Sequence, residues 1–169
     1  WLLDGVEWHQ RQPLTVPSPR VHASLTYDAE RKITILFGGQ ADTGGKYLEA
    51  LNEMWVWDGE NWQQQFPIDL PPARFGTSMV YDRARRSILL FGGGSGGGML
   101  DDSWVWDGDN WKEQQPINRP PARVDFGMVY HEGRQQVVLF GGQSYSGMAI
   151  DTWVWDGKDW SQLQTTHSP

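Results

Sequence analysis

The sequence predicts an all-β protein built from repeated four-stranded antiparallel units, and three observations carry that prediction. All 11 Trp residues fall inside one recurring phrase, clearest as Trp55-Val56-Trp57-Asp58-Gly59, Trp104-Val105-Trp106-Asp107-Gly108 and Trp153-Val154-Trp155-Asp156-Gly157. Each copy is followed three residues later by a further Trp (Trp62, Trp111, Trp160), and a worn fourth copy opens the chain as Trp1-Leu2-Leu3-Asp4-Gly5 with Trp8. The copies recur with a period near fifty, the size of a repeat unit that stacks against its neighbours rather than folding alone. Finally, no segment sustains a helical period, whereas short apolar and β-branched runs alternate with Gly, Pro, Asp and Asn clusters.

The middle unit, from Pro71 to Gln115, shows how each element arises. Pro71-Pro72-Ala73-Arg74 is a stiff, extended entry, because proline fixes its own φ and biases the residue before it. Phe75–Tyr81 reads as a first strand, and the polar run Asp82–Arg86 as its hairpin loop. Ser87-Ile88-Leu89-Leu90-Phe91 is continuously apolar after Ser87, the pattern of a strand covered on both faces, and is expected to end at Gly92-Gly93. A variable loop leads to a third strand, Ser103–Trp106. Asp107-Gly108-Asp109-Asn110 is a turn, with Gly available for positive φ and Asp or Asn able to bond the local backbone. Trp111–Gln115 is the fourth strand.

The other units repeat these positions in phase. Arg20, Arg74 and Arg123 align, as do Tyr27, Tyr81 and Tyr130, and the pairs Gly38-Gly39, Gly92-Gly93 and Gly141-Gly142, each after a Phe. The first unit is five residues longer, and the extra length falls between its Gly pair and its Trp pair, near Ala41 to Glu49. The strands therefore keep their length while one loop grows.

Composition narrows the functional classes. The 169 residues are 38% hydrophobic and 13% aromatic, enough to bury a core. A formal charge of −7, with 14 scattered basic residues, argues against a nucleic-acid backbone as main partner, because phosphate binding rests on clustered Lys and Arg. No apolar run approaches the roughly 18 residues of a membrane helix, and no signal peptide opens the chain. An opening midway through a repeat points to truncation of whatever lay upstream of Trp1. Cys is absent, which removes disulfides, thiol nucleophiles and thiolate metal sites and leaves the compartment open.

An apolar strand ending in Gly-Gly, aromatics on the next strand, a Trp after a short turn and a period near fifty together resemble the kelch repeat, over essentially the whole chain. The likeness is greatest to bacterial kelch sequences carrying Trp-Val-Trp-Asp-Gly and a Pro-Pro-Ala-Arg lead-in. The resemblance implies a β-propeller in which each repeat is one four-stranded blade. Complete blades are then expected at 20–65, 74–115 and 123–164, with a half-blade at 1–12. Propellers close with roughly four to eight blades, so this chain is expected to close its ring by oligomerising, two copies giving six complete blades. The central domain of galactose oxidase carries similar repeats. Its copper and Tyr–Cys cofactor are not implied here, because the chain has no Cys and His9, His22, His131 and His167 occupy different repeat phases. The resemblance implies no cofactor and no metal.

Candidate site residues follow from repeat position. Arg20, Arg74 and Arg123, at the start of each first strand, are expected either to ring a channel mouth with forked donors for an anionic ligand or to bond carbonyls or an acidic partner of a neighbouring blade and so fix the spacing. His22, Gly76 and Asp125 align two residues further on, and non-equivalent residues at an equivalent site are what a specific pocket needs. The Trp pairs Trp55/Trp57, Trp104/Trp106 and Trp153/Trp155 are spaced by two, so both rings of a pair point to one face, as core or as platforms for sugars. The Asp-Gly turns are oxygen-rich, but hairpin geometry explains them without calcium, which needs six to eight ligands. The loops after the Gly pairs differ most between units, and variable loops on a rigid scaffold commonly carry binding; Tyr47 and Tyr145 are their aromatic contacts.

The expected function is a non-enzymatic binding or interaction scaffold whose partners are a second copy of itself and another protein or a glycan. One alternative is a carbohydrate-binding, lectin-like propeller using Tyr47 and Tyr145. Another is an enzyme at the channel mouth around Arg20, His22, Arg74, Arg123 and Asp125.

Overall fold

A computed structural model of the protein describes residues 1–164. The described residues contain strands and turns and no helix. Three four-stranded antiparallel sheets follow one another along the chain. The first comprises Ser24–Asp28, Ile33–Phe37, Met54–Trp57 and Trp62–Gln65. The second comprises Ser78–Asp82, Ser87–Ser95, Gly98–Trp106 and Trp111–Gln114. The third comprises Gly127–His131, Gln136–Phe140, Thr152–Trp155 and Trp160–Leu163. Each is a meander in which every strand pairs with the next in sequence, and a two-stranded piece, Leu2–Leu3 with Trp8–His9, precedes them.

The second sheet departs from the sequence expectation. Its second strand does not end at Gly92-Gly93 but runs on to Ser95 and pairs with a third strand that begins at Gly98 rather than Ser103. The register slips between Phe91 and Gly93. An irregularity there bends the ladder and lets the same two strands continue beyond the Gly pair. In the first and third sheets the corresponding stretches separate into short ribbons, Gln40–Ala41 with Glu49–Ala50 and Gln143–Ser144 with Gly147–Met148. The first strand of the unit also starts later than expected, at Ser78, with Phe75 held only by a bridge to Gly94.

Two apolar layers join the sheets. Ile35, Phe37 and Met54 of the first sheet pack on Met79, Tyr81, Ile88, Leu90, Trp106 and Trp111 of the second. The opposite face of the second sheet, through Leu89 and Phe91, packs on Val137, Leu139, Trp155 and Trp160 of the third. A strand apolar on both faces is what a sheet packed on both sides requires, and Ser87–Phe91 is buried throughout. The matching strand of the third sheet, Gln136–Phe140, alternates instead, with no sheet packed on its far face among the described residues: Phe91 is 0% exposed and its counterpart Phe140 40%.

Candidate functional site

The aligned arginines sit where the entry segment meets the Gly pair of the same unit. Arg74 and Arg123 are fully buried, and the Arg20 side chain nearly so. Their guanidinia bond within their own repeat unit and not to a carbonyl or acid of a neighbouring one. Arg74 donates through Nη1 to the Gly92 carbonyl at 2.9 Å and grips Asp102 with two bonds of 2.8 and 2.7 Å. Arg123 repeats this on the Gly141 carbonyl and Asp151, and Arg20 on the Gly38 carbonyl and Glu53. Each carboxylate also accepts an indole N–H two residues on: Trp55 to Glu53 at 2.9 Å, Trp104 to Asp102 and Trp153 to Asp151 at 2.7 Å. Every unit thus carries an Arg–carboxylate–Trp relay tying the start of its first strand to its third strand. The forked guanidinium is spent on a planar carboxylate, the geometry it fits best.

The carboxylates titrate accordingly. Burial pushes Asp102 up, but the Arg74 and Trp104 donors outweigh it and hold it below its ordinary value. The Arg123 hydrogen bond holds Asp151 low against its own burial. Glu53 follows Asp102, with burial overcome by Arg20 and Trp55. Sequence reading missed these three acids, although each stands two residues before the first Trp of its pair, in phase.

His22, Gly76 and Asp125 are linked from unit to unit by main-chain hydrogen bonds. The Gly76 amide donates to the His22 carbonyl and the Asp125 amide to the Gly76 carbonyl, both at 2.9 Å. All three residues have left-handed backbone angles, φ of 55°, 58° and 55°, so His22 and Asp125 adopt a conformation that glycine adopts freely. The Asp125 carboxylate lies over Gly76, where an added Cβ would stand 2.7 Å from its Oδ1. His22 and Asp125 therefore stand two repeat units apart, one on either side of Gly76. The Gly pairs serve close approach: an added Cβ on Gly38 would meet the Arg74 carbonyl at 2.5 Å, and on Gly142 the Val124 carbonyl at 2.7 Å.

A second device at the opposite ends of the strands also escaped sequence reading. Buried Asp28 and Asp82 cap their hairpins and pair with Arg31 and Arg85 at 2.8 and 2.7 Å. From there Arg31 donates to the carbonyl of Asp107 and Arg85 to that of Asp156, each in the Asp-Gly turn of the following sheet. The turns themselves are closed as expected, by an Asp carboxylate accepting the next amides: Asp58 from Glu60 and Asn61, Asp107 from Asp109 and Asn110, Asp156 from Lys158 and Asp159.

On the variable loops, Tyr145 is bound to its neighbour: its hydroxyl accepts the Met99 amide at 2.7 Å and rests against Gly98. Tyr47 is 73% exposed and is touched by Lys46, whose ammonium lies 5.3 Å from the ring centroid. Leu48, Met148 and Ile150 are exposed on the same loop class. Trp104 and Trp106 pack into one layer between sheets and Trp153 and Trp155 into the next, whereas Trp57 of the first pair lines a cavity beside the N-terminal segment. Among the described residues no cluster of three or more His, Cys, Asp or Glu side chains is placed to hold a metal ion. His167 lies outside the described residues.

Comparison with known proteins gives the family. Residues 2–168 match the model of the KLHDC2/KLHL20/DRC7 Kelch-repeats domain. The chain belongs to the kelch-repeat proteins. It is also 34% identical over 106 residues to tRNA wybutosine-synthesizing protein 4 of Aspergillus fumigatus, a match covering 60% of this chain and 10% of that protein. The chain thus spans about a tenth of the length of the curated relative it matches. Kelch repeats generally mediate protein interaction, and the sheets described above have the four-stranded antiparallel form of kelch blades.

Proposed function

We propose that this kelch chain is a non-enzymatic protein-interaction scaffold, with complete blades at 20–65, 74–115 and 123–164 and a half-blade at 1–12, that closes its ring by associating with a second copy. Two copies supply six complete blades, with the half-blades at the seams. The observation that carries the reading is the open face of the third blade. Val129 and Phe140 are 61% and 40% exposed, whereas Phe91, the counterpart of Phe140, is fully buried against the next blade. A head-to-tail contact that closes by rotation covers such a face without leaving an open filament.

What speaks against a catalytic reading is the use already made of the candidate groups: Arg20, Arg74 and Arg123 are consumed by carboxylates of their own blades, and Gly76 stands between His22 and Asp125. The glycan reading rests on Tyr47, since Tyr145 is committed to Met99. The loop face around Tyr47, Leu48, Met148 and Ile150 is the surface offered to a further protein.

Sedimentation velocity over a dilution series tests the reading. A species of twice 19.3 kDa that dissociates on dilution is expected. A 19.3 kDa monomer at every concentration would overturn it.

A further inference from the structure

Resting on the protein-interaction reading and not on self-association, we propose that the junction between the first and second sheets is a pocket for an arginine side chain of a partner protein, together with the peptide group beside it. Both sheets that form this junction are complete within the chain.

The chain leaves the first sheet after Gln65 and crosses to the second. There the Asp69 amide donates to Asn110 Oδ1 at 2.9 Å, and Asn110 Nδ2 returns a bond to Asp69 at 2.8 Å. This clamp fixes the linker against the Asp-Gly turn of the second sheet. Beside it, Gln65, Phe66, Pro67, Trp106, Gly108 and Asp109 line a cavity of about 240 Å³.

Three features of the lining point to a ligand. Phe66 is 79% exposed, a large ring left on the surface. Trp106 is 6% exposed, yet its indole Nε1 is buried with no hydrogen-bond partner among the described residues. An unpaired buried donor carries a desolvation cost that an incoming acceptor relieves. Asp109 is exposed, and the cations around it are already engaged: Lys112 pairs with Asp107 and Arg31 with Asp28, each at 2.8 Å. Arg31 also donates to the Asp107 carbonyl across Gly108.

The group that answers all three is planar and cationic, with an acceptor close by. A guanidinium stacks on the Phe66 ring and offers forked donors to the Asp109 carboxylate. A carbonyl of the same peptide accepts from Trp106 Nε1. The net charge of −7 favours a basic partner in the same sense.

The next junction has the same form and different chemistry. Its cavity, about 180 Å³, is lined by Gln115, Pro116, Ile117, Lys158 and Asp159. Gln115 stands in the place of Phe66 and Lys158 in that of Asp109. The repeat therefore does not require the ring or the carboxylate, and an ammonium in that place repels a guanidinium.

The test follows the Trp106 indole N–H resonance by heteronuclear NMR, assigned through its own backbone, as a blocked alanine–arginine–alanine tripeptide is added. A saturable movement is expected, weaker with lysine in the central place and absent with glutamate. Phe66→Gln and Asp109→Lys copy the residues of the next junction, so their thermal melts are expected to match the parent. Each is expected to raise the dissociation constant about tenfold, and Lys158→Asp to leave it unchanged. A resonance that stays in place up to millimolar peptide, or that moves equally in Phe66→Gln and Asp109→Lys, would overturn the proposal. Movement with maltotriose and none with the arginine peptide would overturn it in favour of a sugar site. Each of these results leaves the loop face and the solution mass untouched, so this pocket fails separately from the interaction reading.

Discussion

The backbone amide of Asp125 donates to the carbonyl oxygen of Gly76 at 2.9 Å, continuing a bond that Gly76 makes to His22. This blade-to-blade chain of main-chain bonds runs through three residues of different chemistry at one repeat position. What the three share is a left-handed backbone, and the middle one is the residue that the neighbouring carboxylate overhangs. Gly76→Ala is accordingly expected to destabilise the fold by about 1–2 kcal/mol, from the unfavourable φ and the crowding by Asp125 and Val124. Urea unfolding checks this against Gly133→Ala, whose φ is not left-handed and whose nearest neighbour is an exposed His131 ring, and which is expected to stay within about 0.5 kcal/mol of the parent.

The Arg–carboxylate–Trp relays predict a graded series. Arg74→Met strands Asp102, whose side chain is 18% exposed, and is expected to cost about 3 kcal/mol or more. Arg20→Met strands Glu53, at 32% exposure, where water replaces more of the lost bonding, and is expected to cost about half as much. Equal losses in denaturant titrations of the two variants would contradict this ordering.

Acid sensitivity follows from the same acids. Asp102, Asp151 and Glu53 are held below their ordinary values of 3.8, 3.8 and 4.5 in the folded state. A depressed folded pKa contributes stability that is complete above the unfolded pKa and is lost as the pH falls through the folded one. Stability is therefore expected to be flat with respect to these groups near neutrality and to decline below about pH 4.5. Unfolding midpoints at pH 7 and pH 3 read the decline, and it should be shallower in Arg123→Met, where Asp151 loses the donor that depresses it most.

The two loop tyrosines, alike in sequence position and equally exposed, should behave differently. Tyr145→Phe removes the acceptor for the Met99 amide and is expected to cost about 1 kcal/mol. Tyr47→Phe removes no hydrogen bond seen among the described residues and is expected to leave the melting temperature unchanged. Thermal unfolding of the two variants side by side separates a structural tyrosine from a free one.

The repeat made the strand pairing readable, since alternation, Gly pairs and Asp-Gly turns are local features that recur in phase. Contacts reaching across the sequence were harder. Arg74 was visible as an aligned position, but its partner Asp102 lies 28 residues away, beyond any local pattern. The Arg31 and Arg85 contacts span 76 and 71 residues, and their sequence signal, Asp-x-x-Arg at Asp28 and Asp82, is masked in the third unit, where His131 replaces the Asp. The continuation of the middle sheet beyond Gly92-Gly93 was hidden because glycine reads as a strand end, whereas here the pair admits neighbouring carbonyls and the strand resumes.

Self-association is tested most directly by the mass of the protein in solution. Light scattering coupled to size-exclusion chromatography is expected to give a species of twice 19.3 kDa. A mass of 19.3 kDa at every concentration would contradict closure by a second copy.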